Sequence, residues 1–435
     1  MSAHAGPITR APVRLAYSLL LYLLVPFVVL RLLWLGTRNP EYLGRWRERF
    51  GRPPRFNGNR PILLVHAVSV GEVLAAKPLL QRLMTRHPGH RLVVTTTTPT
   101  GAATVRQNFG ESVEHLYFPY DLPSAVDSFL DRVCPAAVLV METEIWPNFF
   151  TACARRGVPL ALVNARMSAR SAAGYARLSG MIRDTLRIPV LIAAQSDADA
   201  RRLRELGADP GRLAVCGNLK YDIRFPPSIR EQGLAQRRIF SASRPVWIAA
   251  STHEGEERVV LEAFAEIHRL QPDCLLVLAP RHPERFERVH GLCVKAGFTV
   301  ARRTSPGVAS GPSADIFVLD TLGELPVFYA SADIAYVGGS LTPHGGHNLL
   351  EPASLGLPII TGPHVFNFAD AAERLGAAGA LRVAHDAAEL ATVVLDMLND
   401  ANLRHTAGER AHRVYMENQG SADLVIERLQ PLLSL

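Results

Sequence analysis

Two successive series of short apolar runs, with helical periodicity between the runs, constrain this chain more than any other feature. The first series reads "PILLVHA", "RLVVTTT", "AAVLVME", "PLALVNA", "VLIAAQS" and "LAVCG" between residues 61 and 217. The second reads "VWIAAS", "CLLVLAP", "TVARRT", "IFVLD", "IAYVGG" and "PIITG" between residues 246 and 362. Runs of this kind suit strands buried on both faces, the condition of a parallel sheet covered by helices. The polar, proline-bearing stretch "DIRFPPSIREQ" separates the two series. The expected fold is therefore α/β, with two doubly wound Rossmann-like domains facing a cleft and the C-terminal ends of the strands supplying its loops. The expected boundaries are residues 37–222 and 236–412, with 223–235 as linker and 413–435 as a helix packing back.

The N-terminus is different in kind. Leu15 to Leu30, "LAYSLLLYLLVPFVVL", is an uncharged run of sixteen residues, extended past Arg31 by "LLWL", against the roughly 20 residues a spanning helix needs. No small-residue cleavage site follows, so residues 1–36 are expected to remain as a membrane anchor; a buried hairpin helix is the alternative. Next, "RNPEYLGRWRERFGRPPR" sets six arginines among Tyr42, Trp46 and Phe50, as in an interfacial helix on anionic headgroups. The positive-inside rule puts the rest of the chain in the cytoplasm, at the face of the inner membrane.

A formal charge of +7 favours an anionic partner: nucleic acid, a membrane surface or a phosphorylated substrate. No nucleic-acid motif is present, which leaves the other two. Lysine occurs only at Lys77, Lys220 and Lys295, in a chain that otherwise uses arginine. The five cysteines are scattered without C-x-x-C spacing, as expected of reduced thiols packed in the core.

Several loops carry chemistry. "HAVSVGE" closes the first strand with a single glycine, Gly71, followed by Glu72, where a phosphate-binding turn would be glycine-rich. A carboxylate there repels phosphate, so this turn either caps a helix or performs chemistry. Pro78 lies inside the helix that follows, which is expected to kink or to start late. "VMETEIWPN" sets Glu142 and Glu144 two residues apart, projecting from one side if the backbone is extended. With Glu72 they suggest a site that handles hydroxyls or protons, although any one of these acids by itself also suits a helix cap. "VNARMSARS" brings Arg166 and Arg170 to another strand end, where guanidinium groups suit phosphate or carboxylate, or equally a solvated helix face. In "SDADARRLRELG", Ser196 and Asp199 form a capping box, and the D-x-D is not read as a metal site. "THEGEERVV" has no second histidine four residues after His253, so Thr252, His253 and Glu254 read as a strand-end loop and not as a zinc motif. "PRHPERF", "LDTLGELPVFYASA" and "VGGSLTPHGGHNLLEPASLGLPIITGP" form the densest cluster. A helix N-terminus near Asn348 can hold a phosphate, and Glu351 can accept hydrogen bonds from ribose hydroxyls.

The order of a glycine pair, "GGHN", "LEP" and "GLPIITGP" resembles the donor-nucleotide half of GT-B glycosyltransferases. The wider set, "HAVSVGE", "METEIWPN", "NARMSARS", "GNLKYD", "STHEGEE", "PRHPERF", "DTLGEL" and "GGSLTPHGGHNLLEP", resembles the 3-deoxy-D-manno-octulosonic acid (Kdo) transferases over nearly the whole chain. The resemblance implies a membrane-associated enzyme of lipopolysaccharide core synthesis that moves Kdo from CMP-Kdo to a lipid A precursor, with inversion and with neither metal nor cofactor. It implies Glu72 as general base, and Ser69, Gly71, Glu142, Glu144, Arg166 and Lys220 on the acceptor and donor-sugar side. CMP would lie near Pro280, Arg281 and His282, near Leu322, Gly323 and Glu324, and near Asn348, Leu349, Leu350 and Glu351. Another GT-B enzyme, such as a sugar-nucleotide epimerase, and a non-catalytic membrane-tethered nucleotide-sugar binder are the alternatives. The apolar N-terminus counts against the epimerase, and the strand-end acids count against the binder.

Overall fold

The structure, a computed structural model, describes residues 11–305 and 314–433. The chain divides into two units: one runs to Asp222 and takes the chain up again from Gln419, and the other is Ile223–Asn418.

In the first unit the strands are β1 (Ile62–His66), β2 (Arg91–Thr96), β3 (Glu114–Tyr117), β4 (Pro135–Met141), β5 (Leu160–Ala165), β6 (Leu191–Ala194) and β7 (Leu213–Val215). They form a seven-stranded sheet in the order β3-β2-β1-β4-β5-β6-β7, with every neighbouring pair parallel. Successive side chains leave opposite faces, so β1 sends Leu63 and Val65 into one core and Ile62 and Leu64 into the other. The chain order reverses between β1 and β4, which sets their C-terminal ends side by side at the switch point where doubly wound sheets bind ligands.

The helix Val70–Arg86 opens directly after β1 with Ser69 as its N-cap and continues through Pro78. It does not start late, because the Ser69 cap satisfies the first turn, and Glu72 lies within that turn. At the other end of the chain, the helix Ser421–Leu433 brings Val425, Ile426 and Leu429 into the same core as Val73, Ala76 and Leu80.

The second unit repeats the plan with β8 (Val246–Thr252), β9 (Leu275–Pro280), β10 (Val300–Arg302), β11 (Ile316–Val318), β12 (Ile334–Val337), β13 (Ile359–Thr361) and β14 (Leu381–Val383). Their order is β10-β11-β9-β8-β12-β13-β14, again all parallel. Trp247, Phe264 and Tyr336 fill one side of this sheet, and Phe240, Phe317 and Phe328 the other.

Every strand expected from an apolar run is present, and two strands are additional. Both β3 and β14 are edge strands with partly exposed residues, so neither needs a continuous apolar run. Of the cysteines, Cys153, Cys216, Cys274 and Cys293 are buried, but Cys134 is exposed. It ends a helix in the left-handed conformation, at φ 48°, and is not a core residue.

Candidate functional site

Strand ends in both units are shaped by non-glycine residues in left-handed backbone: Glu142 follows β4 at φ 53°, Asn164 lies in β5 at 55° and Ser251 in β8 at 57°. Asn164 and Ser251 fall where the strand pairing shifts register, as in β-bulges that redirect a strand end. Such conformations cost of order 1–3 kcal/mol each and collect at functional sites.

Glu72 is held from two directions. Its Oε2 accepts the Val68 N–H at 2.8 Å and its Oε1 the Ser69 hydroxyl at 3.4 Å, while its own N–H reaches Ser69 Oγ at 3.4 Å. The reciprocal Ser69–Glu72 contact is a capping box. Capping and chemistry are not exclusive here, because Glu72 also lies close to two other carboxylates. Burial pushes its carboxyl up to about 8, with Glu142 and Glu144 adding to the rise and the Val68 N–H and Ser69 hydroxyl opposing it. Burial, assisted by Glu142, raises Glu144 to about 7. A carboxylate tuned this way can take a proton near neutral pH. His66, the first residue of the motif, is a core residue: fully buried, stacked on Phe118 at 3.7 Å and held by burial at about 3.

The Glu142–Glu144 segment is not extended. β4 ends at Met141, and the left-handed Glu142 turns the chain, so strand alternation does not apply to the two acids. Lys220 Nζ stands 3.9 Å from Glu142 Oε1. It is carried by the short helix Leu219–Asp222, whose Leu219 N–H donates to Asn164 Oδ1 at 2.9 Å and whose Asp222 accepts the Gly420 and Ala422 N–H groups. The structure thus brings Ser69, Glu72, Glu142, Glu144 and Lys220 together. Arg166 follows β5, and its carbonyl accepts the Thr143 hydroxyl, which puts it beside the β4 loop; its side chain makes no ion pair among the described residues. Ser168 caps the helix Ala169–Ala176 by accepting the Ser171 N–H at 3.0 Å, and Arg170 is solvated. A Cβ built on Gly71 would meet only Ser69 Oγ, at 3.8 Å. Ser196 and Asp199 form the expected capping box, with Asp199 also accepting the Met167 N–H.

In the second unit, Pro280 ends β9 and the Arg281 N–H donates to Thr252 O at 3.0 Å, which puts "PRH" next to the β8 loop. Glu324 is already paired with Arg303 at 2.7 Å, beside an exposed Leu322 and a left-handed Gly323. Asn348 accepts the Leu350 N–H at 3.0 Å and donates to Glu351 Oε1 at 3.1 Å, just ahead of the helix Leu350–Leu355. Leu349 and Leu350 are core residues, so only their backbone can face a ligand.

The sequence reading missed Glu256. This fully buried carboxylate accepts N–H groups from His253 at 2.8 Å, Gly339 at 2.6 Å, and Ser340 and Leu341 at 2.9 Å each, and the Tyr336 hydroxyl at 3.0 Å. It holds the glycine loop against β8, where a Cβ on Gly338 would lie 2.8 Å from Ser251 O. Above it, His253 Nε2 meets His347 Nε2 at 2.8 Å, and His253 stacks on His344. Burial and the neighbouring imidazoles hold His253 at about 4 and His347 at about 3. An acid in the first turn of a helix, three residues after His253, was the available signal.

Comparison with known proteins separates the class from the family. UDP-GlcNAc 2-epimerase from Neisseria meningitidis bound to UDP-GlcNAc covers 85% of this chain at TM-score 0.57 and 14% identity, with 100% of its own chain aligned. S. aureus MnaA with UDP covers 86% at TM-score 0.52 and 16% identity, with 97% of its own chain aligned. At that identity the likeness defines the two-domain GT-B fold and nothing narrower. Residues 308–414 match the model for glycosyl transferases group 1, and residues 44–223 the model for 3-deoxy-D-manno-octulosonic-acid transferase (kdotransferase). The fold and these matches define a glycosyltransferase. The 3-deoxy-D-manno-octulosonic acid transferase of Haemophilus influenzae is 37% identical over 97% of this chain and 99% of its own, and that of Bordetella pertussis 38% over 96% and 99%. The chain belongs to the Kdo transferase family.

Proposed function

We propose that this Kdo transferase of lipopolysaccharide biosynthesis takes Kdo from CMP-Kdo and adds it to a lipid A precursor, with inversion and without a bound metal, at the cytoplasmic face of the inner membrane. The observation that carries the reading is the Glu72 carboxylate, raised to about 8 and set with Glu142, Glu144 and Lys220 at the switch point of the first sheet. Glu72 takes the proton from the acceptor hydroxyl as that oxygen attacks the anomeric carbon of Kdo. The bond from that carbon to the CMP phosphate breaks on the opposite face, and CMP leaves with the electron pair. Lys220 stands 3.9 Å from Glu142 Oε1 and sets a positive charge beside the acidic group.

CMP is assigned to the second unit, with Arg281 and His282 on the phosphate side, the backbone of residues 322–324 and 348–350 beside the nucleotide, and Glu351 on the ribose hydroxyls. Incubation with CMP-Kdo and a tetra-acylated lipid A precursor tests the reading. Release of CMP with a lipid heavier by one or more Kdo residues is expected, and release of CMP without lipid product would point to a different acceptor.

A further inference from the structure

The apolar N-terminal segment forms the helix Ala11–Arg38, the one helix among the described residues long and apolar enough to cross a membrane. Its sides are unequal. Leu15, Leu19, Leu23, Phe27, Leu30 and Trp34 are 54–72% exposed and recur every three or four residues, as one stripe. On the other side, Ser18, Leu32 and Gly36 are buried.

The end of the helix far from the chain's entry into the first unit is itself tied to that unit. Tyr17 donates its hydroxyl to Asp121 Oδ2 at 3.1 Å and Ser18 donates to Asn148 Oδ1 at 3.2 Å. One turn on, Tyr22 and Ser124 share a hydroxyl contact at 2.8 Å. These are built contacts: Asp121 is 3% exposed and also accepts the Asn148 and Phe149 N–H groups. From Ser18 to Gly36 the helix rises by about 27 Å, close to the full hydrocarbon thickness of about 30 Å. A helix crossing the bilayer would carry Tyr17 and Ser18 to the far side, and Asp121 and Asn148 would have to follow.

We propose that this helix lies in the plane of the membrane, with the Leu15–Trp34 stripe in the acyl boundary and both ends on the first unit, and does not cross the bilayer. The occupant of the stripe is an anionic bilayer surface. Trp34 and Trp46 are exposed amphipathic rings suited to the headgroup level, and Arg38 lies over the Trp34 ring at 4.4 Å. Arg45, Arg47 and Arg52 are exposed just beyond, as expected for docking on anionic lipid. The proposal rests on the membrane reading above and sharpens it.

The test uses the full chain with Cys134→Ala, which removes the exposed thiol, and Ser2→Cys as a reporter. A membrane-impermeant maleimide is expected to label the reporter in inverted inner-membrane vesicles and not in intact spheroplasts. In parallel, nitroxides placed singly at positions 15, 23 and 30 are expected to report one shared shallow depth, within about 10 Å of the headgroups. Labelling from outside intact spheroplasts, or a depth greatest at position 23, would overturn the proposal and leave the membrane reading standing. Recovery of the chain away from membranes, or self-association through the stripe without binding to vesicles of phosphatidylethanolamine and phosphatidylglycerol, would overturn both.

Discussion

Asn164 Oδ1 accepts the Leu219 N–H at 2.9 Å, and this bond sets where Lys220 stands. Asparagine tolerates the left-handed backbone there better than most residues, and from that position its amide reaches the turn that carries the lysine. Asn164→Ala removes the acceptor and that tolerance together. A loss of about 2 to 4 kcal/mol in the stability of the first unit is expected. Turnover per folded molecule should also fall, because the spacing between Lys220 and Glu142 is no longer set. Denaturant melts with steady-state transfer rates check both, and a folded variant with wild-type turnover would detach Lys220 from the reaction.

Glu72→Gln keeps the size of the side chain and an oxygen for the Val68 N–H but removes the basic oxygen. Transfer should drop by about 10²- to 10⁴-fold with CMP-Kdo affinity within about twofold of wild type, an interaction lost only in the transition state. Single-turnover transfer alongside donor titration measures the two. Near-wild-type transfer would move the base to Glu144, the second carboxyl of this cluster raised toward neutrality.

The pH dependence follows in sign from the same group. A base must be ionised, so kcat/KM should rise with pH through about 8, and Glu72→Gln should lose that rise. Stability runs the other way. The folded carboxyl holds its proton up to about 8 and the unfolded one only to about 4.5, so the folded state binds more protons between these values and loses stability as pH rises across them. The melting temperature of Glu72→Gln relative to wild type should therefore increase from about pH 5 to about pH 9. A constant difference would mean that Glu72 is ionised throughout.

Glu256→Gln replaces an acceptor-only carboxylate by an amide whose NH₂ confronts backbone N–H groups at one of the two oxygen positions. A cost of about 2 to 5 kcal/mol to the second unit is expected, with donor affinity reduced because the Gly338–Leu341 loop loses its tether. Thermal melting and CMP binding check this, and a stable variant with weakened CMP binding would show the loop, more than global stability, to be what Glu256 maintains.

The parallel α/β class was legible because strands buried on both faces must be continuously apolar; the runs ending at His66, Met141 and Ala165 report this directly. The capping of Val70–Arg86 was half legible. "HAVSVGE" contains the S-x-x-E spacing of a capping box, yet Pro78 argued for a later start. Edge strands such as Glu114–Tyr117 left no run to read, since an edge meets solvent and tolerates polar residues.

By itself, the sequence determined what local chemistry controls: apolar runs, helix caps, an apolar N-terminal stretch, and the motif order that marks the Kdo transferase family. Tertiary structure alone decided which of these meet. Periodicity reports the face of an element, never its neighbour. Glu72, Glu142 and Lys220 lie far apart in the chain, and only the strand order and the Asn164 brace make them one electrostatic group. The same holds for Glu256, whose four N–H donors include three from a loop more than eighty residues away. It holds also for Tyr17 and Asp121, whose hydrogen bond ties the N-terminal end of an apolar helix to the first unit.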